Sequence, residues 1–232
     1  MSTNLTALRE NLQEQGIDVL RIIYSDVLGI TRSKDLLVSQ LEKAAGHGPA
    51  FCQGVWVTTT QGGVLDAEGI AGDGLQDLIT QLDPETIHPM PWEPGVAYAV
   101  ADALNPDMTP NLFSPRTVLR KVIEQYNKLG LVPVCGPELE FYIADRTEDG
   151  GFKRALEKTG RVYTTGALVD PNGTFLHLLR MLDRLNIGVF AGNHEFSPSQ
   201  YEINLWHSEA MDAADRTFMF KTAIKDIVAR EG

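Results

Sequence analysis

Two hydrophobic periodicities alternate along the chain and predict a mixture of helices and strands. Segments with apolar residues at every third or fourth position, several bounded by Ser, Asp, Pro or Gly, predict helices. Segments rich in branched and aromatic residues predict strands. The predicted helices cover 3–15, 38–45, 115–129, 171–186 and 211–230, and the predicted strands cover 17–26, 30–34, 51–60, 96–104, 131–143 and 201–206.

Segments rich in Gly, Pro and Asp separate these elements and predict loops at 66–74 and 145–166 and a turn after 188–192. The segment 105–110 contains two prolines and an acidic residue, which is typical of a connection between domains. We therefore predict an α+β fold with one domain at 1–108 and a second at 112–232.

Charge and cysteine content narrow the possible functions. The net charge of −11 disfavours sequence-independent nucleic-acid binding, which needs Lys and Arg to displace phosphate counterions. Two cysteines, Cys52 and Cys135, make neither a CxxC pair nor a disulfide framework. We find no signal peptide at the start and no apolar run of membrane-spanning length. These features predict a cytoplasmic protein with reduced thiols and no nucleic-acid or membrane partner.

Two carboxylates lie on one face of the predicted strand 131–143. Side chains alternate along a strand, so Glu138 and Glu140 share a face, with Leu139 and Phe141 on the other. The apolar flanks predict that this strand is central in its sheet. Adjacent carboxylates repel each other, and Mg²⁺ or Mn²⁺ would relieve that repulsion. For a Glu-x-Glu pair alone, a solvated acidic face is the more frequent explanation.

A second acidic segment strengthens the metal hypothesis. Gln200, Glu202 and Asn204 share one face of the predicted strand 201–206, and Glu195 lies across a Ser-Pro-Ser turn from Glu202. The segment is not a zinc-protease helix, because HExxH needs a second histidine where Pro198 stands. His194 alone is more often a core or loop histidine than a ligand, so we predict that it neighbours the site.

These motifs resemble the glutamine synthetase family. GPELEFYI at 136–143 is similar to the family's strand with two metal-binding glutamates, and NHEFSPSQYEINL at 193–205 is similar to its following motif, usually HHE-x-x-PGQ-x-E-I. VLRIIYSDVLGITRSK at 19–34 resembles the family's N-terminal strands. The resemblance implies a β-grasp domain followed by part of a catalytic domain, with a curved antiparallel sheet and flanking helices.

The resemblance also implies roles for individual residues. Glu140, Glu195 and Glu202 would hold the Mg²⁺ or Mn²⁺ ion beside substrate glutamate, and Glu138 would help hold a second ion on the ATP phosphates. The γ-carboxylate of glutamate would attack ATP, and an amine would then displace phosphate from the acyl phosphate. The polar residues of the second motif would line the substrate and nucleotide neighbourhood: His194, Asn193, Gln200 and Asn204.

Three departures from the family pattern affect the expected substrates. The family's Phe-Asp-Gly-Ser segment, whose Asp helps bind ammonium, corresponds here to 51–56, where Cys52 and Gln53 would line the amine pocket without an acid. We therefore hypothesise a larger amine than ammonia, such as a polyamine or ethanolamine. Ser199 replaces the usual Gly, which costs about 1 kcal/mol if the backbone φ is positive. Phe190 replaces a frequent acidic ATP contact.

Family members continue beyond the position of Gly232, and the resemblance places a metal-binding histidine, another glutamate and phosphate-binding arginines there. We therefore expect that this chain carries only part of the active site and that the chain alone is catalytically weak or inactive. The resemblance also implies that the full-length protein forms a ring-like homo-oligomer. Two alternatives stay open at this point. One is a non-catalytic fragment or paralogue that serves assembly or regulation, and the other is a two-metal hydrolase built on the same carboxylates.

Overall fold

A computed structural model describes residues 4–44, 48–67, 74–156 and 162–231. The chain forms two compact units, Met1–Val132 and Pro133–Gly232. Helix 115–128 belongs to the first unit, so the division of contacts falls later in the chain than the predicted boundary at 108–112. The functional domains 1–108 and 112–232 stay a prediction. Across the described helices, none is both long and apolar enough to cross a membrane.

The first unit is built on a six-stranded mixed sheet. Its strands have the order β2-β1-β6-β4-β3, with β5 also pairing with β6. The β1–β6 pair is parallel and the other pairs are antiparallel. The elements are α1 (Leu5–Glu14), β1 (Val19–Ser25), β2 (Thr31–Leu37), α2 (Leu41–Ala44), β3 (Ala50–Cys52), β4 (Asp77–Leu82), β5 (His88–Pro89), β6 (Val96–Leu104) and α3 (Pro115–Lys128).

Capping and turn residues fix the ends of α1 and the turn of the first hairpin. Asn4 caps α1 by accepting a hydrogen bond from the backbone N–H of Ala7, and Gly16 follows the helix with φ of 75°. The turn between β1 and β2 is organised by Asp26, which is buried and accepts hydrogen bonds from Leu28, Ile30 and Arg32. The hairpin β1–β2 is therefore fixed by buried polar contacts as well as by strand pairing.

In its described residues, the second unit combines two α-helices and a short 3₁₀ helix, Gly166–Leu168, with three small antiparallel sheets. These sheets are β11-β12-β8, β9-β10 and β7-β13. The elements are β7 (Val134–Cys135), β8 (Glu138–Tyr142), β9 (Ala144–Arg146), β10 (Phe152–Arg154), α4 (Thr174–Arg184), β11 (Val189–His194), β12 (Gln200–Leu205), β13 (Ser208–Glu209) and α5 (Ala210–Glu231).

One face of the three-stranded sheet in the second unit is buried against both helices. Tyr201, Ile203 and Leu205 alternate with less buried residues along β12. Tyr201 stacks on Phe175 of α4, and Phe220 of α5 packs edge-on to a ring of β8. The opposite face is therefore the one left available for polar side chains.

Several sequence predictions are wrong in detail. Of the predicted strand 51–60, the first two residues belong to strand Ala50–Cys52, and the next five form a 3₁₀ helix, Gln53–Val57. Thr58 is extended and makes an isolated bridge with Val64. The predicted strand 131–143 is interrupted at Gly136-Pro137, because Pro cannot donate a ladder hydrogen bond. Its second half, β8, lies at an edge of the sheet formed by the described residues and not at the centre.

Two segments predicted without strands contain them. The predicted loop 145–166 overlaps the hairpin β9–β10 and continues through residues 157–161, which lie outside the described part of the chain. Residues 189–192 lie in strand β11, which was not predicted as a strand, and β11 leads into the turn at 195–199. In the first unit, β4 was not predicted. The predicted loop 66–74 falls mainly on residues that the structure does not describe.

Candidate active site

Strand register places the four predicted glutamates on one face of the β11-β12-β8 sheet. Glu202 of β12 lies directly opposite Glu140 of β8, and Asn204 lies opposite Glu138. On the other side, Asn193 of β11 lies opposite Glu202. Directly opposed residues have Cβ atoms about 5 Å apart, so the Glu140 and Glu202 side chains leave the sheet as immediate neighbours.

Glu195 continues this pattern just beyond the end of β11. Its backbone N–H donates a hydrogen bond of 2.8 Å to the carbonyl oxygen of Gln200. The pairing of 193 with 202 therefore extends to 195 with 200, and alternation gives Glu195 the same face as Asn193. Glu195 is buried, at 8% exposure. The Ser-Pro-Ser turn thus returns Glu195 to the glutamate face, as the sequence predicts.

Three amide side chains hold three of the carboxylates. Gln200 donates from Nε2 to Glu140 Oε2 at 2.5 Å, and Asn204 donates from Nδ2 to Glu202 Oε1 at 2.6 Å. Asn193 donates from Nδ2 to Glu195 Oε1 at 2.8 Å. We predicted all three amides as site neighbours, but their pairing with particular carboxylates depends on rotamers and register that the sequence does not specify.

Gln200 is held at both ends of its amide. Its Oε1 accepts a hydrogen bond of 3.1 Å from the backbone N–H of Ser197, while its Nε2 reaches Glu140. The two contacts fix which end of the amide is the oxygen. The turn 195–199 therefore orients a donor toward the neighbouring edge strand.

Ser199, at the end of that turn, has the strained backbone that its substitution for Gly suggests. Its φ is 61° and it is fully buried. Its hydroxyl accepts a hydrogen bond of 2.7 Å from the backbone N–H of Leu156 and lies 3.5 Å from the Leu156 carbonyl oxygen. Ser199 thus joins the glutamate turn to the segment after β10, which glycine could not do.

The donor set on this face fits a hard divalent cation, but the carboxylates do not converge on one point. Carboxylate oxygens are the ligands that Mg²⁺ and Mn²⁺ prefer. Within the described residues, no three His, Cys, Asp or Glu side chains are arranged so that they could hold a metal ion. Glu140, Glu202 and Glu195 instead each engage an amide. A cation at this face would have to draw these side chains together.

His194 lies on the opposite face of the sheet from the glutamates. It pairs with Tyr201 in the register, is 2% exposed, and packs edge-on to the Tyr201 ring. Neither of its ring nitrogens has a hydrogen-bond partner in the described part of the chain. Its position agrees with a core histidine adjacent to the site and places its ring away from the carboxylates.

Tyr201 is central to this buried face. Its hydroxyl donates a hydrogen bond to the carbonyl oxygen of Val169. Burial, with a smaller contribution from the Asp170 carboxylate, raises the pKa of Tyr201 to about 12. The residue therefore stays a neutral hydrogen-bond donor across the physiological range.

An exposed aromatic pair was not predicted as a pair. Phe190 stacks on Trp206 with ring centroids 4.4 Å apart, and both side chains are about half exposed. Phe190 lies at the irregularity between Val189 and Ala191 in the β11–β12 pairing. Continuing the alternation of Glu202 and Asn204 to Trp206 would have assigned that residue to the glutamate face.

The predicted amine-pocket residues belong to the first unit. Cys52 ends β3, is exposed, and accepts a hydrogen bond at Sγ from the backbone N–H of Gly54 at 3.4 Å. Gln53 begins the 3₁₀ helix that follows. Both lie at a strand end, where a loop side chain has room to contact a ligand.

Comparison with known proteins gives the family. Residues 112–232 match the family model described as glutamine synthetase, catalytic domain. Glutamine synthetase of Methanosarcina mazei is 28% identical over 226 residues, covering 96% of this chain and 48% of that protein. Glutamate–isopropylamine ligase of a Pseudomonas species is 26% identical over 234 residues, covering 97% of this chain and 51% of that protein. The chain thus spans about half the length of these relatives.

Solved structures show the same fold. A complex of GmaS with ADP superposes with a TM-score of 0.79 at 24% identity, covering 97% of this chain and 50% of that one. Glutamine synthetase of Plasmodium falciparum superposes with a TM-score of 0.73 at 19% identity, covering 98% of this chain and 49% of that one. The match to the family model over 112–232, which covers more than half of the chain, establishes that the chain belongs to the glutamine synthetase family.

Proposed function

We propose that the protein carrying this chain is an ATP-dependent ligase that joins the γ-carboxylate of glutamate to an amine. The observation that carries the proposal is the direct opposition of Glu140 and Glu202, with Glu138 and Glu195 on the same face. The names of two relatives, glutamine synthetase and glutamate–isopropylamine ligase, support this reaction class. In this proposal, residues 1–108 are the family's β-grasp domain and residues 112–232 are part of its catalytic domain.

Glu140, Glu195 and Glu202 would hold one Mg²⁺ or Mn²⁺ ion beside substrate glutamate, and Glu138 would help hold a second on the ATP phosphates. When bound, these ions neutralise negative charge on the substrate carboxylate and the phosphate oxygens. The chain's own contribution is positioning, since the buried aromatic face beneath the glutamates anchors the strands that carry them. Asn193, Gln200 and Asn204 would form the substrate and nucleotide neighbourhood, while the buried ring of His194 packs against Tyr201 on the other face of the sheet.

The reaction would have two steps. The γ-carboxylate of glutamate attacks the γ-phosphorus of ATP, which forms γ-glutamyl phosphate and releases ADP. The amine nitrogen then attacks the acyl carbon, phosphate leaves, and the nitrogen loses a proton. Phosphoryl transfer of this kind depends mainly on positioning and charge neutralisation.

The amine would be larger than ammonia. Cys52 and Gln53 occupy the segment where the family's ammonium-binding Asp is expected, and neither side chain carries a negative charge that would favour a small cation. A neutral pocket is better suited to an alkyl chain or a hydroxyl group. Assembly into a ring-like homo-oligomer and a cytoplasmic location complete the proposal, as expectations from the family resemblance and the sequence.

A phosphate-release assay on the protein at its natural length tests this function. Ammonium, isopropylamine, ethanolamine and a polyamine are each supplied with glutamate, ATP and Mg²⁺. We expect phosphate only when glutamate and an amine are both present, with a larger amine preferred over ammonium. Equal use of ammonium would contradict the proposed amine class, and phosphate release from ATP without glutamate and amine would indicate a two-metal hydrolase instead.

Two variants make the assay specific for the proposed site. Glu202→Gln removes one carboxylate charge and should lower the rate at least about 100-fold, since metal sites respond strongly even to changes around the ligands. Glu209→Gln makes the same chemical change at an exposed glutamate of β13 and should leave the rate unchanged. An active E202Q variant would remove Glu202 from the mechanism.

A further inference from the structure

The glutamate face contains four carboxylates and no opposing charge among its nine positions. Register and alternation assign it three rows of three positions: Glu195, Gln200 and Tyr142; Asn193, Glu202 and Glu140; Ala191, Asn204 and Glu138. No Lys or Arg occupies any of these nine positions. At the margin of this face, the guanidinium carbon of Arg154 lies 5.5 Å from the centre of the Tyr142 ring.

Neutral amides occupy the positions between the carboxylates. Each of the three donates to one oxygen of one glutamate, at 2.5, 2.6 and 2.8 Å. Two pairs join residues two apart on one strand, and the third joins Gln200 to Glu140 diagonally across strands. Glu140, Glu202 and Glu195 each therefore accept one amide hydrogen bond.

The chemistry of the amide suits this location. A carboxylate has two oxygens and about four acceptor sites, so one N–H bond leaves the second oxygen available. An amide N–H orients the carboxylate without adding a charge of its own. A Lys or Arg in the same place would compete with a bound cation for the same charge.

We propose that Gln200, Asn204 and Asn193 are positioning residues that hold the carboxylates of Glu140, Glu202 and Glu195 ordered and open to a divalent cation. This inference rests on the proposed metal-dependent function. It predicts that removal of an amide donor weakens metal binding, and that replacement by a cationic donor weakens it too, although the positive charge relieves repulsion in the metal-free protein.

Asn204 is the best residue for the test, because the hydrogen bond described for its side chain goes to Glu202 alone. Asn204→Leu has a similar shape and no donor, Asn204→Gln keeps an amide, and Asn204→Lys keeps a donor but adds charge. Asn11→Leu is the matched control, since Asn11 also has a hydrogen-bonded amide, at an exposed site of α1. Mn²⁺ alone is the probe, with affinity measured by calorimetry and metal-free stability by thermal unfolding.

We expect the Kd for Mn²⁺ to rise about tenfold in N204L, to return to within about threefold of the wild-type value in N204Q, and to rise at least about tenfold in N204K. The metal-free Tm of N204K should equal or exceed that of the wild type. N11L should keep the wild-type Kd.

The outcomes separate the inference from the proposed function. If the wild-type protein binds no Mn²⁺, both the proposed metal site and this inference are wrong. If the wild type binds and N204L binds equally well, the positioning role alone is wrong. If affinity declines only in proportion to the metal-free Tm across all variants, the amides support the fold and do not position the carboxylates.

Discussion

At the scale of single residues, Ser199 combines a backbone cost with a side-chain gain. Its φ of 61° is unfavourable for any residue with a Cβ, by about 1–2 kcal/mol. Its hydroxyl satisfies the backbone N–H of Leu156, and a buried donor left unsatisfied costs about 1–3 kcal/mol. The two effects are of similar size, so substitutions at this position can distinguish them.

We expect Ser199→Ala to be the less stable of two variants, because it keeps the strain and loses the hydroxyl. Ser199→Gly loses the hydroxyl but relieves the strain, so it should be about 1 kcal/mol more stable than S199A and still less stable than the wild type. Urea unfolding of the three proteins provides the comparison. An S199G variant more stable than the wild type would mean that strain outweighs the hydrogen bonds to Leu156.

Tyr201 makes the stability of the second unit decrease at alkaline pH. Its phenol has a pKa of about 12 in the folded protein, above the unfolded value of about 10. The stabilisation from the neutral phenol is therefore complete below pH about 10 and is lost as pH rises toward about 12. Tyr201→Phe removes the phenol and this dependence with it.

We expect Y201F to be less stable than the wild type by about 1 kcal/mol at neutral pH, because the hydrogen bond to Val169 is lost. The difference should shrink above pH about 10 and change sign before pH about 12, because a pKa difference of two units corresponds to about 2.7 kcal/mol. The free energies of unfolding of both proteins are measured with denaturant at matched pH. The contributions of the other titrating groups are the same in both proteins and cancel in the difference. A difference that is constant over this range would contradict the assigned pKa.

At the scale of elements, helix α3 is attached to the rest of the first unit by ion pairs of its arginines. Asp102 of β6 accepts hydrogen bonds from Arg116 at 2.7 Å and from Arg120 at 2.9 Å, and Arg116 also reaches Asp83 at 2.6 Å. The predicted apolar stripe of this helix is half exposed at Val118 and its neighbours on the same face, Val122 and Tyr126. The hydrophobic period identified the helix correctly, but charge pairing attaches it to the sheet.

Asp102→Ala should therefore destabilise the first unit by about 2 kcal/mol, because the mostly buried Arg116 loses one of its charged partners. Glu42→Ala is the control. It removes the partner of Arg9 in a more exposed pair at 3.7 Å and should cost less than about 0.5 kcal/mol. Urea unfolding followed by the fluorescence of Trp56 and Trp92, with Trp206 of the second unit replaced by Phe in all variants, reports on this unit. Equal effects of the two substitutions would show that Asp102 does not hold α3.

At the scale of the whole molecule, local patterns predicted most elements and the face of each acidic side chain. Strict alternation from Gln200 to Leu205 gave the orientation of β12, because one side of that strand is buried. Ser114 and Pro115 gave the start of α3 for an equally local reason.

Features that depend on distant parts of the chain were not predictable in this way. The opposition of Glu140 and Glu202 is a matter of register between strands separated by a helix and a hairpin. Strand β4 was missed because DLITQL has only a weak alternation, and its pairing with β6 and β3 stabilises it. The edge position of β8 likewise follows from the neighbours of the strand and not from its apolar flanks.

The distribution of cysteine between the two compact units has an experimental use. The sequence contains two cysteines, and one exposed thiol lies in each unit, Cys52 in the first and Cys135 in the second. Thiol-reactive spin or fluorescent labels would therefore attach once per unit without any substitution. The distance between the two labels could then be measured in solution, with and without nucleotide, glutamate or amine.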